Sequence, residues 1–118
     1  MLSFPATLQV MMSLKPIDMR KAIDGLTLLV IEHLQHNPQE PSLFLFCNQQ
    51  RNKIKGLYWD KNGFVLIYKR LERKKFYIPR SGEANKLEIT HQQLSWLLAG
   101  FDFIGMAEHP DLDFKNYS

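Results

Sequence analysis

Hydrophobic residues change their spacing twice along this chain. From Met19 through Ile23, Leu26, Val30 and Leu34 they recur at intervals of four, three, four and four, the buried stripe of an amphipathic helix. Asp18 stands where an N-cap would accept the free backbone N–H groups of the first turn, and Asn37 before Pro38 predicts the helix end near His36. Gly25 inside the stripe costs about 1 kcal/mol relative to alanine, which points to close packing against another element. Ahead of this helix, Thr7 to Met12 reads as a short first strand, followed by a turn at Lys15 and Pro16. Beyond Pro41 the pattern becomes extended. Leu43 to Cys47, Lys53 to Trp59 and Phe64 to Lys69 predict three consecutive antiparallel strands, with Asn62-Gly63 supplying the positive φ angles of a tight hairpin. A fourth strand is expected over Lys75 to Ile78, stopped by Pro79, and Arg80 to Lys86 reads as a surface loop. The helical period then returns. Thr90 and Gln93 form a capping-box pair, Leu94, Leu97, Leu98 and Phe101 a buried stripe, and Gly100 a left-handed stop.

The expected architecture is a small single α+β domain over 1–118, with an antiparallel sheet of about four to five strands and two main helices. Residues 104–118 are expected to form a loosely held acidic tail. A length of 118 residues and a hydrophobic share of 45% provide for one core that needs no disulfide or structural metal. The lone Cys47 excludes an internal disulfide and any multi-cysteine zinc site, and reads as a small buried hydrophobe suited to a reducing compartment. No run reaches the roughly 18 apolar residues of a membrane span, and the start reads poorly as a signal peptide. A cytoplasmic protein without a membrane partner is expected.

Charge changes this picture. The net value of +3 conceals a segregation: between Arg51 and Arg80 stand ten bases and only two acids, Asp60 and Glu72, a local +8. The rest of the chain carries five bases and ten acids, or −5. Such asymmetry points to a polyanionic partner, most simply a nucleic acid, without saying which one. Strand alternation puts Arg51, Lys53, Lys55, Leu57 and Trp59 on one face, a row of cations that can follow phosphates while Trp59 stacks. Alternatively the lysines only solvate the outer face of a half-buried sheet. Lys69, Arg70, Arg73, Lys74 and Lys75 are a denser cluster, five cations within seven residues, whose other reading is a charged turn that keeps a sheet edge soluble.

Catalytic patterns are weak. His33 and His36 share one helix face without a third ligand, His91 and His109 stand in no ligand spacing, and Asp111 and Asp113 read as solvated tail. Gly100 and Gly105 are not followed by the lysine of a phosphate loop. No catalytic residue, cofactor or metal is assigned, and a non-enzymatic protein is expected.

Four segments carry a resemblance. They are Asp18-Met19-Arg20-Lys21 with Asp24-Gly25-Leu26; Lys53-Ile54-Lys55 to Tyr58-Trp59-Asp60 with Gly63-Phe64; Tyr68 to Arg73 with Phe76 and Pro79; and Leu87 to Thr90 with Gln93-Leu94, Leu97-Leu98 and Gly100. Together they resemble TnpB, the second-reading-frame accessory proteins of the insertion-sequence sixty-six family, over nearly the whole chain. The resemblance implies a role in DNA transposition beside a separate, catalytic transposase and another accessory protein, and it carries over no catalytic residues. At Cys47, Gln49 and Gln50 the chain lacks the arginines of the family pattern, which moves the weight of DNA contact to Lys53, Lys55 and Lys69 to Lys75. The expectation is binding to DNA or to the transposase–DNA complex through Lys53, Lys55, Trp59, Lys69, Arg70, Arg73, Lys74 and Lys75. The alternative is an adaptor that docks on the transposase, or on a second copy of itself, through its helices, with Arg20, Lys21 and Asp24 as the docking face.

Overall fold

Five strands form one sheet in the computed structural model, which describes residues 4–79 and 84–104. They are β1 (Gln9–Ser13), β2 (Ser42–Cys47), β3 (Lys53–Asp60), β4 (Gly63–Arg70) and β5 (Lys86–Ile89), side by side in the order β4-β3-β2-β1-β5. Helix α1 (Ile23–Glu32) connects β1 to β2, and α2 (His91–Leu98) follows β5. The α+β class holds, but the sheet is mixed. β1 and β2 run parallel because a helix between them carries the chain back to start β2 in the direction of β1, whereas β2-β3, β3-β4 and β1-β5 are antiparallel.

β2 is the central strand, and all six of its residues are buried. Its alternation divides the core in two. Phe44 and Phe46 pack with Met11, Leu57 and the α1 residues Leu26 and Val30. Leu43, Leu45 and Cys47 pack on the opposite face with Val10, Met12, Ile54, Ile89, Leu94 and Leu97. Each fully buried Leu, Phe or Met contributes about 1.5–3 kcal/mol relative to exposure, so both faces are held by apolar burial.

Several expectations need correction. Helix α1 begins four residues later than its stripe, because the Asp18 carboxylate accepts the N–H of Arg20 at 2.8 Å and closes a local turn instead of capping the helix. The N-cap is Ala22, without a side-chain bond. Leu34 is buried as predicted but lies past the helix end, where Gln35 has a φ of 58°. Gly25 is tight against its own approach: a Cβ there would sit 3.2 Å from Lys21 Cβ. In the hairpin, Lys61 takes the positive φ of 56°, while Gly63 already opens β4 opposite Asp60. No strand forms over Lys75 to Ile78. That segment instead inserts Phe76 into the core under a bond from its N–H to the Arg51 carbonyl at 2.7 Å, and β5 takes the place beside β1.

The capping box of α2 is present in both directions: Gln93 N–H to Thr90 Oγ1 at 3.0 Å, and Thr90 N–H to Gln93 Oε1 at 2.8 Å. At the other end Gly100, with φ 83°, lets its own N–H reach the Leu97 carbonyl and the Phe101 N–H reach the Trp96 carbonyl. This paired closure turns the chain so that Phe101 is exposed, against its place in the expected buried stripe, while Phe103 is fully buried. Ile104 packs against the same core, and the rest of the acidic segment lies outside the described residues.

Candidate nucleic-acid interface

The β3-β4 register decides where the basic residues point. Lys53 pairs with Arg70, Ile54 with Lys69 and Lys55 with Tyr68. Lys53, Lys55, Leu57 and Trp59 therefore share the α1 face, together with Arg70, as strand alternation predicted. Lys69 is on the other face. Arg51 lies outside the strand, in the turn that precedes it.

Two of these lysines are fasteners. Lys55 Nζ donates to the carbonyls of Met19 at 2.5 Å and Lys21 at 2.8 Å, tying β3 to the segment that enters α1. Lys69 Nζ donates to the Leu98 carbonyl at 2.6 Å, at the C-terminus of α2, where the exposed carbonyls attract a cation. Lys86, on β5, does the same for the Leu34 carbonyl at 2.6 Å. Trp59 is half-buried and edge-on to Phe64 at 5.0 Å, six residues along β3 from Lys53, on the order of 20 Å away. The candidate ring and the candidate cations thus stand at opposite ends of the sheet.

What the fold does bring together is a second constellation. After β4 the chain folds back over the turn between β2 and β3: Leu71 N–H bonds the Asn52 carbonyl at 2.8 Å and Phe76 N–H bonds that of Arg51. Arg73, Lys74 and Lys75 are exposed on this return segment, close to Arg51, Lys53 and Arg70. Among the described residues, the side chains of Arg51, Lys53, Arg73 and Lys75 make no ion pair or hydrogen bond. Arg70 pairs with Glu72 at 2.7 Å, an exposed contact that contributes little to stability. A groove of about 590 Å³ opens here, lined by Arg51, Lys74, Lys75, Tyr77, Phe101 and Asp102 over a floor that includes Phe76 and Gly100. Tyr77 is 54% exposed and Phe101 46%, and Lys74 Nζ lies 5.9 Å from the Phe101 ring centre.

The turn that presents Arg51 is built by a buried amide. Asn48 Oδ1 accepts the N–H groups of Asn52 at 3.1 Å and Lys53 at 3.0 Å, and Asn48 Nδ2 donates to Asn52 Oδ1 at 2.7 Å. This network holds Arg51 at a φ of 60°, a left-handed conformation unfavourable for a residue with a Cβ. Asn48, Tyr77 and Phe101 were not selected from the sequence. The two asparagines four apart around a cation were the only available signal, and the rings offered none, since nothing local distinguishes an exposed aromatic from a core one.

The helix-side candidates lie together ahead of and within the first turn of α1. Arg20 is highly exposed and its Nη2 bonds Asp18 at 2.6 Å. The hydrogen bond from that side chain draws the Asp18 carboxyl down to about 2. Lys21 covers Gly25, and Asp24 sits exposed in the first turn, where the helix dipole favours an acid.

Groups with potential for chemistry are dispersed. His36 Nδ1 contacts Glu40 Oε1 at 3.0 Å, His91 Nε2 contacts the Leu8 carbonyl at 2.6 Å, and burial pushes the Cys47 thiol up to about 11. Among the described residues no three or more His, Cys, Asp or Glu side chains are grouped to hold a metal ion, and no helix is long and apolar enough to cross a membrane.

Fold and surface thus define a small mixed-sheet domain with one strongly cationic end. Residues 8–108 match the family described as IS66 Orf2-like protein, and the chain belongs to that family of insertion-sequence accessory proteins. Two relatives come from Sinorhizobium fredii (strain NBRC 101917 / NGR234), both uncharacterized proteins. One, y4jC, is 30% identical over 103 residues, 87% of each chain. The other, y4hO, is 38% identical over 86 residues, 73% of this chain and 74% of its own. No solved structure matches significantly.

Proposed function

We propose that this accessory protein is non-catalytic and binds DNA at the cationic end of the sheet. The observation that carries the reading is the convergence of Arg51, Lys53, Arg70, Arg73, Lys74 and Lys75 around one turn and its return segment, most of them without a counter-ion among the described residues. Cations left unpaired beside one another repel, and a row of phosphates relieves that repulsion while releasing condensed counter-ions. Of the residues selected from the sequence, Lys53, Arg70, Arg73, Lys74 and Lys75 form this contact surface. Lys55 and Lys69 support it through their carbonyl bonds, and Trp59 stiffens the distant hairpin.

The test is a fluorescence anisotropy titration with element-end DNA at several salt concentrations. About four to five phosphate contacts predict a slope of log K against log salt of roughly −4 on duplex. Arg70→Ala with Arg73→Ala weakens binding about equally on all sequences, because phosphate contacts carry no base information. Absence of binding at low salt, or a salt-independent affinity, overturns the reading.

An adaptor reading draws support from α1, whose outer side exposes Leu28 (53%) and Ile31 (50%) one turn apart, near Asp24. A pull-down with purified transposase after nuclease treatment separates the two, since an adaptor retains its partner without DNA.

A further inference from the structure

We propose that the groove between the return segment and the end of α2 takes unpaired DNA nucleotides, with bases stacked on Tyr77 and Phe101 and the flanking phosphates held by Arg51, Lys74 and Lys75. This rests on the DNA-binding reading and narrows its substrate to single-stranded DNA. Cations alone are enough for a duplex backbone, and they leave the two rings without a function. Two large aromatics about half exposed beside three cations are the elements with which single strands are held: phosphates by charge, base faces by rings. A duplex buries its base faces against neighbouring pairs and offers such rings nothing flat to stack on.

The fold has fixed both rings from independent directions. Phe101 is turned outward by the closure of α2 at Gly100, whose positive φ suits glycine. Tyr77 follows Phe76, which is anchored in the core and tied to the Arg51 carbonyl. Because strand-like side chains alternate, burying Phe76 directs its neighbour outward. The same bond links the Tyr77-bearing segment to the strained Arg51 turn, which fixes that ring relative to the Arg51 cation. The groove volume of about 590 Å³ falls within the range of pockets that enclose small organic ligands. Its lining carries three cations and one acid, Asp102, a net positive charge suited to a phosphodiester.

The experiment compares four fluorescein-labelled ligands at fixed low salt: a 20-nucleotide dT strand, the same strand with abasic sites through its centre, a duplex of equal length, and an rU strand. We expect the dT strand to bind about tenfold more tightly than the abasic strand and the duplex, since each stacked base contributes about five- to a hundredfold. Tyr77→Leu and Phe101→Leu should each remove most of that advantage, while Tyr77→Phe should retain it. Thermal melts confirm that each variant is folded, and the comparison of dT with abasic strand on the parent protein carries the test should a leucine variant not fold. Equal affinity for the dT and abasic strands overturns the stacking proposal and leaves the phosphate reading intact. Binding to none of the ligands overturns both, and tighter binding of rU than of dT overturns the assignment to DNA.

Discussion

Replacing Asn48 by alanine tests whether one buried amide builds the turn that presents Arg51. Asn48 is 6% exposed, and its side chain satisfies the Asn52 and Lys53 N–H groups while donating to Asn52 Oδ1 and, at 3.2 Å, to Gln50 Oε1. Alanine leaves two backbone donors without an acceptor at about 1 kcal/mol each, and the lost amide donations add somewhat less because their partners can turn to water. The expected loss is about 2–3 kcal/mol. For a domain of this size that corresponds to a fall in Tm of roughly 8–12 °C, measured by calorimetry or circular dichroism. Asn48→Asp keeps the accepting oxygen and adds a negative charge beside Arg51 and Lys53, so it should lose less than half as much. With the turn loosened, the alanine variant should also bind DNA more weakly at temperatures well below its Tm. A Tm within about 2 °C of the parent, or an aspartate variant as damaged as the alanine one, would refute the reasoning.

Lys55 and Lys53, two residues apart on one strand face, should separate structure from binding. Lys55→Met loses its carbonyl bonds at about 1 kcal/mol, lowering Tm by roughly 4 °C with the salt slope unchanged, and Lys53→Met reduces the slope by about 1 with Tm unchanged. Glu40 gives an acid dependence. Burial acts to raise its pKa, but bonds from Ser42 Oγ, the His36 ring and the Asn37 N–H outweigh burial and hold the carboxyl below its usual 4.5. A depressed folded value stabilises above the unfolded one and is lost as pH falls through the folded value. The Tm gap between parent and Glu40→Gln should therefore be full near neutrality and close progressively below about pH 4.5, followed by melts across pH. Cys47, whose thiol burial pushes up to about 11, should react with a thiol reagent at pH 8 orders of magnitude more slowly in the folded protein than in guanidinium; comparable rates would contradict its burial.

Much of the fold is legible in the residues because local rules agree there with the tertiary answer. Leu43 to Cys47 is apolar without a break, as a central strand covered on both faces must be. Thr90 and Gln93 cap α2 through bonds that span three residues and need no distant partner. Where distant partners compete, local reading misplaces elements. Asp18 is a good cap by type, yet its carboxylate accepts the Arg20 N–H in a local turn, and the helix starts later, with Ala22 as its N-cap and no side-chain bond there. Lys75 to Ile78 has strand composition, but the core draws in Phe76 and the place beside β1 goes to Lys86–Ile89.

The sequence by itself determined the α+β class, the two helices, the hairpin and the concentration of positive charge between Arg51 and Arg80, since each depends on composition or on contacts a few residues long. Only the tertiary structure decided how that charge is divided. Lys55 and Lys69 are engaged by carbonyls of segments about thirty residues away in the chain, and Arg51, Lys74 and Lys75 meet Tyr77 and Phe101 around one groove. A lysine donates to whichever acceptor the fold brings within about 3 Å, and that distance is set by strand register and helix packing, which no local spacing encodes.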